Sequence, residues 1–265
     1  MPAATGLPRA VTGLPRAATG LLASGNRAAR GYPRRMPMKT PLLLTSGGIT
    51  NPSLRRALEE LLGRPISECN ALAIPTSSYA HPNVSPQLAW KFLAGVAPAT
   101  GMVELGWKSV GILELTAIPS IGDDRWVSWV NDADVLLVNG GEPMYLAHHM
   151  RQSGLADLLP KLEHTVYVGL SAGSMIMAPR IGEGSVRWRP PEGGGDTTLG
   201  MVDFAIYPHM NNPMLPNNTM ANGEAWAATM EMPCYLIDDA TGIRVVDGAV
   251  DVISEGTWKL VNGPG

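Results

Sequence analysis

A serine set between two glycines directly after an apolar run, one histidine downstream of it, and two adjacent aspartates further on are the residues here whose types and spacing could do chemistry. The serine is Ser171, in VGLSAGSM at positions 168–175. Small residues on either side of it permit a strained strand-to-helix turn that lifts the hydroxyl clear of the backbone. A hydroxyl placed there, at a helix N-terminus whose N–H groups favour negative charge, could attack a carbonyl.

Such a nucleophile needs a base, and imidazole is the side chain tuned for that near neutral pH. Of five histidines only His209, in FAIYPHM, lies beyond Ser171; His81, His148, His149 and His164 read as surface or packing residues. The base in turn needs an orienting carboxylate. Asp239 in LIDDAT is the first choice, Asp238 the alternative and Glu183 a third. If LIDDAT is a strand, one of the two aspartates faces inward. The developing oxyanion needs N–H donors about 3 Å away. Ala172, next to the nucleophile, offers one, and Gly141, in the double glycine after DVLLVN, offers another because glycine permits close backbone approach.

The elements that must position these groups alternate. PLLLT is a buried strand, and NPSLRRALEELLG a helix with Asn51 as N-cap, Pro52 at its first position and Gly63 as its stop. Strand NALAIP, helix SPQLAWKFLAG, strand GILEL, helix DRWVSWVN, strand DVLLVNGG, a helical stretch from Glu142 to Leu162, strand TVYVGL and a helix after Ser171 follow. Apolar strands interleaved with helices imply a doubly wound, mostly parallel α/β sheet covered on both faces, whose ligands collect beyond the carboxyl ends of the strands. After residue 181 comes a glycine and proline loop holding Arg187, Trp188 and Arg189; then a strand reaching His209, and a C-terminal hairpin within CYLIDDATGIRVVDGAVDVIS with turns at Ala240-Thr241-Gly242 and Asp247-Gly248. Trp188 reads equally as a lid contact and as packing of its own loop.

Composition limits the alternatives. With 45% apolar and 16% charged residues, the 265-residue chain is an ordinary globular protein, without the run of about 20 apolar residues a membrane helix needs. Residues 1–37 repeat TGLPRA and lack amphipathic period, so they are expected to be disordered or an upstream-extended start, the natural beginning being Met36 or Met38; residues 38–265 form one domain. Seven of the 20 Lys/Arg lie before residue 41, which leaves 13 against 23 Asp/Glu in the remainder. An acidic folded part argues against nucleic acid as its partner. Cys69 and Cys234 read as small buried hydrophobes, and a cytoplasmic home is the simplest. No His, Cys or carboxylate cluster has metal-ligand spacing and no glycine turn has the phosphate-binding pattern, so no metal or organic cofactor is expected.

With strand-GG, strand-GLSAGSM and strand-IYPHM in that order, residues 39–255 resemble the peptidase E and cyanophycinase family of serine peptidases, whose fold is like that of class I glutamine amidotransferases with serine in place of the elbow cysteine. The resemblance implies Ser171 as nucleophile, His209 as base, and Gly141 with Ala172 as oxyanion donors. Ile237-Asp238-Asp239-Ala240-Thr241-Gly242 matches a family stretch that often carries glutamate where Asp239 stands. Two other departures bear on substrate. Glu142 follows the double glycine where relatives commonly have Asn or Asp, and the stretch from Pro190 to Ile243 holds no Lys or Arg, so Arg187 and Arg189 are the nearest cations for a substrate carboxylate. Met210, Asn211 and Asn212 beside the histidine could line a pocket. The expected partner is a short peptide, with neither nucleic acid nor membrane, and a homodimer is compatible with this reading. Two competitors remain: an α/β-hydrolase-type enzyme with Asp196 or Asp203 as the acid between Ser171 and His209, and a non-catalytic amidotransferase-like binding module.

Overall fold

The computed structural model describes residues 38–82, 86–96, 101–191 and 193–263. The expectations for residues 1–37 therefore lie outside the described residues. In chain order the elements are β1 (Leu42–Thr45), α1 (Pro52–Leu62), β2 (Asn70–Ile74), α2 (Pro86–Ala94), β3 (Ser109–Ile112), α3 (Asp123–Asn131), β4 (Val135–Val138), α4 (Pro143–Gln152), α5 (Leu155–Leu158), β5 (Val166–Leu170), α6 (Ala172–Met175), β6 (Ala205–Tyr207), α7 (Met220–Ala227), β7 (Cys234–Ile237), β8 (Thr241–Val246), β9 (Ala249–Ser254) and β10 (Trp258–Val261). No helix among the described residues is long and apolar enough to cross a membrane.

Seven strands form one sheet in the order β3-β2-β4-β5-β1-β8-β9. The first five run parallel, while β8 is antiparallel to β1 and β9 to β8. This is the expected doubly wound α/β architecture. Alternation along the strands sends side chains into two apolar layers. Leu42, Leu44, Leu136, Val138 and Tyr167 pack with Leu146, Ala147 and Met150 of α4; Leu43, Ala71, Ala73, Val135, Leu137, Val166 and Val168 pack with Leu54 and Leu58 of α1. Burying each such leucine contributes roughly 2 kcal/mol. The α1 boundaries follow from local chemistry: the Asn51 side chain accepts from the Leu54 N–H at 2.9 Å, Pro52 opens the helix, and Gly63 closes it at φ 65°.

Four elements differ from expectation. The helix after Ser171 is a single turn: the Met177 and Ala178 N–H groups bond three residues back, to Ser174 O and Met175 O, each at 3.2 Å, and Pro179 bars any continuation beyond them. The stretch from Glu142 divides into α4 and α5 at Ser153-Gly154, where Gly154 is left-handed (φ 79°). The strand read as GILEL is shifted back to Ser109–Ile112. The C-terminal segment does not make one hairpin: β7 leaves for a second sheet ordered β10-β7-β6, and the first turn is Asp238-Asp239-Ala240, with Thr241 already paired to β9 and Gly242 to β1. The second turn, Asp247-Gly248, is as read; both residues have positive φ, as a two-residue hairpin turn between right-twisted strands requires.

Candidate active site

The site forms where β5, β1 and β8 lie side by side. β5 ends at Leu170 and the chain turns sharply through Ser171, whose backbone is held at φ 50°, ψ −111°. That conformation is costly for a residue with a Cβ, on the order of 1–3 kcal/mol. Its surroundings enforce it. The Ser171 N–H donates to Thr45 O of β1 at 3.0 Å, and Ser171 O accepts from the N–H groups of Ser174 and Met175, each at 2.9 Å. The flanking glycines let the turn close: a Cβ on Gly169 would lie 2.8 Å from the Gly173 backbone, and one on Gly173 would lie 2.4 Å from Val138 O. Replacing Ser171 with glycine relieves the strained φ at some cost in unfolded-chain entropy, so it is expected to raise unfolding free energy by about 1 kcal/mol. Chemical denaturation beside Ser171→Ala, which keeps the Cβ and should show no gain, checks this.

The Ser171 hydroxyl lies 2.8 Å from His209 Nε2, and His209 Nδ1 lies 2.6 Å from Asp239 Oδ1. The β6 strand stops at Tyr207, so His209 sits beyond its end at φ 59°, in the left-handed region. Three bonds fix that backbone: His209 N–H to Ser46 Oγ (2.7 Å), Met210 N–H to Ile237 O (3.1 Å) and Asn212 N–H to His209 O (3.2 Å).

Asp239 occupies the turn between the two sheets, not a strand. Its neighbour Asp238 faces away and ties the same turn together, accepting from the Thr241 hydroxyl at 2.8 Å and the Thr257 N–H at 2.5 Å. Glu183 is exposed and paired with Arg189 at 2.9 Å, remote from any role in orienting His209. Asp196, one of the two acids of the α/β-hydrolase alternative, is buried against Arg180 Nε (2.8 Å) and the Gly182 N–H (2.7 Å).

Two further residues grip Asp239 that the sequence did not mark for that task. Ser46, directly after β1, donates to Oδ1 at 2.7 Å; Asn212, read as a pocket residue, donates its side-chain amide to Oδ2 at 2.6 Å. Gly47 makes room, since a Cβ there would meet Asp239 Cβ at 2.9 Å. Burial opposes the Asp239 charge, but hydrogen bonds from His209, Ser46 and Asn212 and the attraction of a charged His209 outweigh it and hold the carboxyl at about 2, against 3.8 ordinarily. A folded-state value below the unfolded one means that this charge adds stability in full above pH 4, and that the contribution fades as pH falls from about 4 toward 2. The stability gap between wild type and Asp239→Asn is expected to narrow across that window, as urea titrations at stepped pH will show.

Gly140 and Gly141 pass close to the elbow. A Cβ on Gly140 would lie 3.0 Å from Ser171 Cβ; one on Gly141, at φ 147°, would lie 2.3 Å from Ser77 O. Among the described residues neither the Gly141 nor the Ala172 N–H donates to a protein acceptor. The remaining pocket candidates divide. Glu142 is corrected: it is fully buried and caps α4, its Oε2 accepting from the Tyr145 N–H at 2.6 Å and its Oε1 from the N–H groups of Trp188 (3.2 Å) and Arg187 (3.4 Å). A carboxylate so committed to backbone amides is not a surface for substrate. Arg187 is exposed, bonds to Gly184 O at 2.9 Å, and approaches His81, whose imidazole is lowered by burial first and by that guanidinium second. Arg189 is bound to Glu183 and Gly194 O. Asn211 is exposed, with φ 57° and its N–H on Asn218 O at 2.6 Å. Cys69 and Cys234 are buried free thiols.

Fold and site together describe a doubly wound α/β protein with a strained serine elbow whose hydroxyl, an imidazole and a carboxylate form one hydrogen-bonded row. Residues 42–253 match Peptidase family S51, and the chain belongs to that family. Peptidase E of Nostoc sp. strain PCC 7120 is 28% identical over 134 residues, 50% of this chain and 54% of that protein, so the match spans about half of the relative's length. Peptidase E of Shewanella oneidensis is 28% identical over 195 residues, 66% of this chain and 76% of its own. The crystal structure of a peptidase from an acI-B1 Actinobacterium superposes with a TM-score of 0.57 at 19% identity, covering 83% of this chain and 89% of the other, a likeness of fold.

Proposed function

We propose that the protein is a serine peptidase acting on short peptides, with Ser171, His209 and Asp239 as its catalytic residues. The observation that carries this reading is the row of contacts, 2.8 Å from Ser171 Oγ to His209 Nε2 and 2.6 Å from His209 Nδ1 to Asp239 Oδ1, at an elbow the backbone holds under strain. Asp239, ionised at every pH above about 4, accepts a hydrogen bond from Nδ1–H, which keeps the proton on Nδ1 and leaves Nε2 as the acceptor. As Ser171 Oγ attacks the scissile carbonyl, its proton passes to Nε2 and the carbonyl oxygen becomes an oxyanion facing the Gly141 and Ala172 N–H groups. The imidazolium returns the proton to the departing amine as the C–N bond breaks. Water, losing a proton to the same Nε2, then attacks the acyl ester, and Ser171 leaves with that proton.

Arg187, exposed and held through its N–H by Glu142 next to the Gly140-Gly141 turn, is the cation assigned to a peptide carboxylate in this reading. Profiling the purified protein on a dipeptide library tests the reading, with Ser171→Ala as control. Hydrolysis by wild type alone supports it; equal hydrolysis by both proteins, or by neither, overturns it.

A further inference from the structure

Glu142 joins two segments distant in sequence, the Gly140-Gly141 turn directly before it and the Arg187-Trp188 segment 45 residues on. Behind it, Gly141 rests against Ser77 O with no room for a side chain, and the Glu142 N–H donates to that same oxygen at 2.8 Å, so the backbone of the Gly140-Gly141 turn is fixed. In front, the Glu142 carboxylate receives the N–H groups of Arg187 and Trp188. The Trp188 indole then lies along the same helix, edge-on to Tyr145 with ring centres 5.1 Å apart and tilted over His148 at 5.3 Å. The Arg187 and Arg189 side chains bond within the loop, Arg187 to Gly184 O and Arg189 to Glu183 and to Gly194 O. An exposed loop bonded mainly to itself has its position set by such an anchor. Burial raises the cost of the Glu142 charge, and the Tyr145, Trp188 and Arg187 amides offset only part of it, so the carboxyl sits above its ordinary value.

Resting on the peptidase reading above, we propose that Glu142 is a positioning residue that clamps the Arg187-Trp188 segment against the Gly140-Gly141 turn, making that segment a wall of the substrate cleft that selects the peptides admitted. Glu142 does not itself touch substrate. It acts through the loop, and its failure changes which peptides bind rather than the chemistry at Ser171.

Glu142→Asp separates this role from plain helix capping. Aspartate is a good N-cap and keeps the bond to the Tyr145 N–H, but one methylene less withdraws the second oxygen from the loop. Three measurements are made on the full-length variant: hydrogen exchange at residues 185–189, kcat and KM across a dipeptide panel, and the rate at which a small fluorophosphonate labels Ser171. Exchange in the loop is expected to rise about tenfold and KM for the preferred peptides to rise about tenfold, with the preference between peptides flattened and the labelling rate within about threefold of wild type. Unchanged exchange, or faster exchange with unmoved KM values, overturns the clamp while leaving the peptidase reading intact. A wild-type protein that neither hydrolyses any peptide nor labels at Ser171 overturns both.

Discussion

Replacing Ser171 with alanine is expected to lower kcat for peptide hydrolysis by about 10⁵-fold while leaving the protein folded. The hydroxyl is the atom that bonds to the substrate carbonyl, and its side-chain contact in the site is His209 Nε2. Removing it leaves the backbone bonds of the elbow in place, because those use the Ser171 N–H and C=O rather than the side chain. What survives is the acceleration from the oxyanion donors and from binding, which a general base acting on water can exploit only weakly. Single-turnover hydrolysis of a preferred dipeptide measures the fall. A loss smaller than about 100-fold would show that the nucleophile lies elsewhere.

Asp239→Asn is expected to cost about 10⁴-fold in kcat, and Asp203→Asn nothing. A neutral amide at 239 can turn its NH₂ toward Nδ1, which then accepts a hydrogen bond instead of donating one. The imidazole proton is driven to Nε2, the atom that must be bare to take the Ser171 proton. Ser46 and Asn212 accentuate the loss, since both donate to the carboxylate and one of them must face a donor after the change. Steady-state kinetics of the two variants side by side decides between the acid after His209 and an acid before it. Lost turnover in Asp203→Asn with full turnover in Asp239→Asn would restore the α/β-hydrolase order.

How much was legible in the sequence follows from how local each signal is. Ser171 and its strand were readable because Gly169 and Gly173 are demanded by contacts within the elbow itself and with the neighbouring Val138. The α1 caps were readable for the same reason, each being a bond or dihedral within four residues. Ser46 was not readable: nothing near it in sequence names a partner, and it comes beside Asp239 and His209 only because the sheet order sets β1 between β5 and β8. Asn212 could be assigned to the histidine neighbourhood but not to the carboxylate, since the bond depends on the positive φ of both His209 and Asn211. Glu142 looked like a residue facing substrate because it follows Gly141. Its burial depends on a loop whose apolar and polar pattern carries no period that could have placed it. LIDDAT is not one strand because β7 and β8 belong to different sheets, a long-range choice that puts a turn at Asp239 where the local β propensity of the flanking residues suggests continuity.

The central claim is that the Ser171 hydroxyl is activated by His209. Reaction of the folded protein with a fluorophosphonate, followed by intact mass and peptide mapping, tests it most directly. The expected result is one phosphonyl group per chain, on Ser171, with labelling slowed at least 100-fold in His209→Gln. Folded wild-type protein that stays unlabelled, or that labels equally well without the imidazole, would contradict the claim.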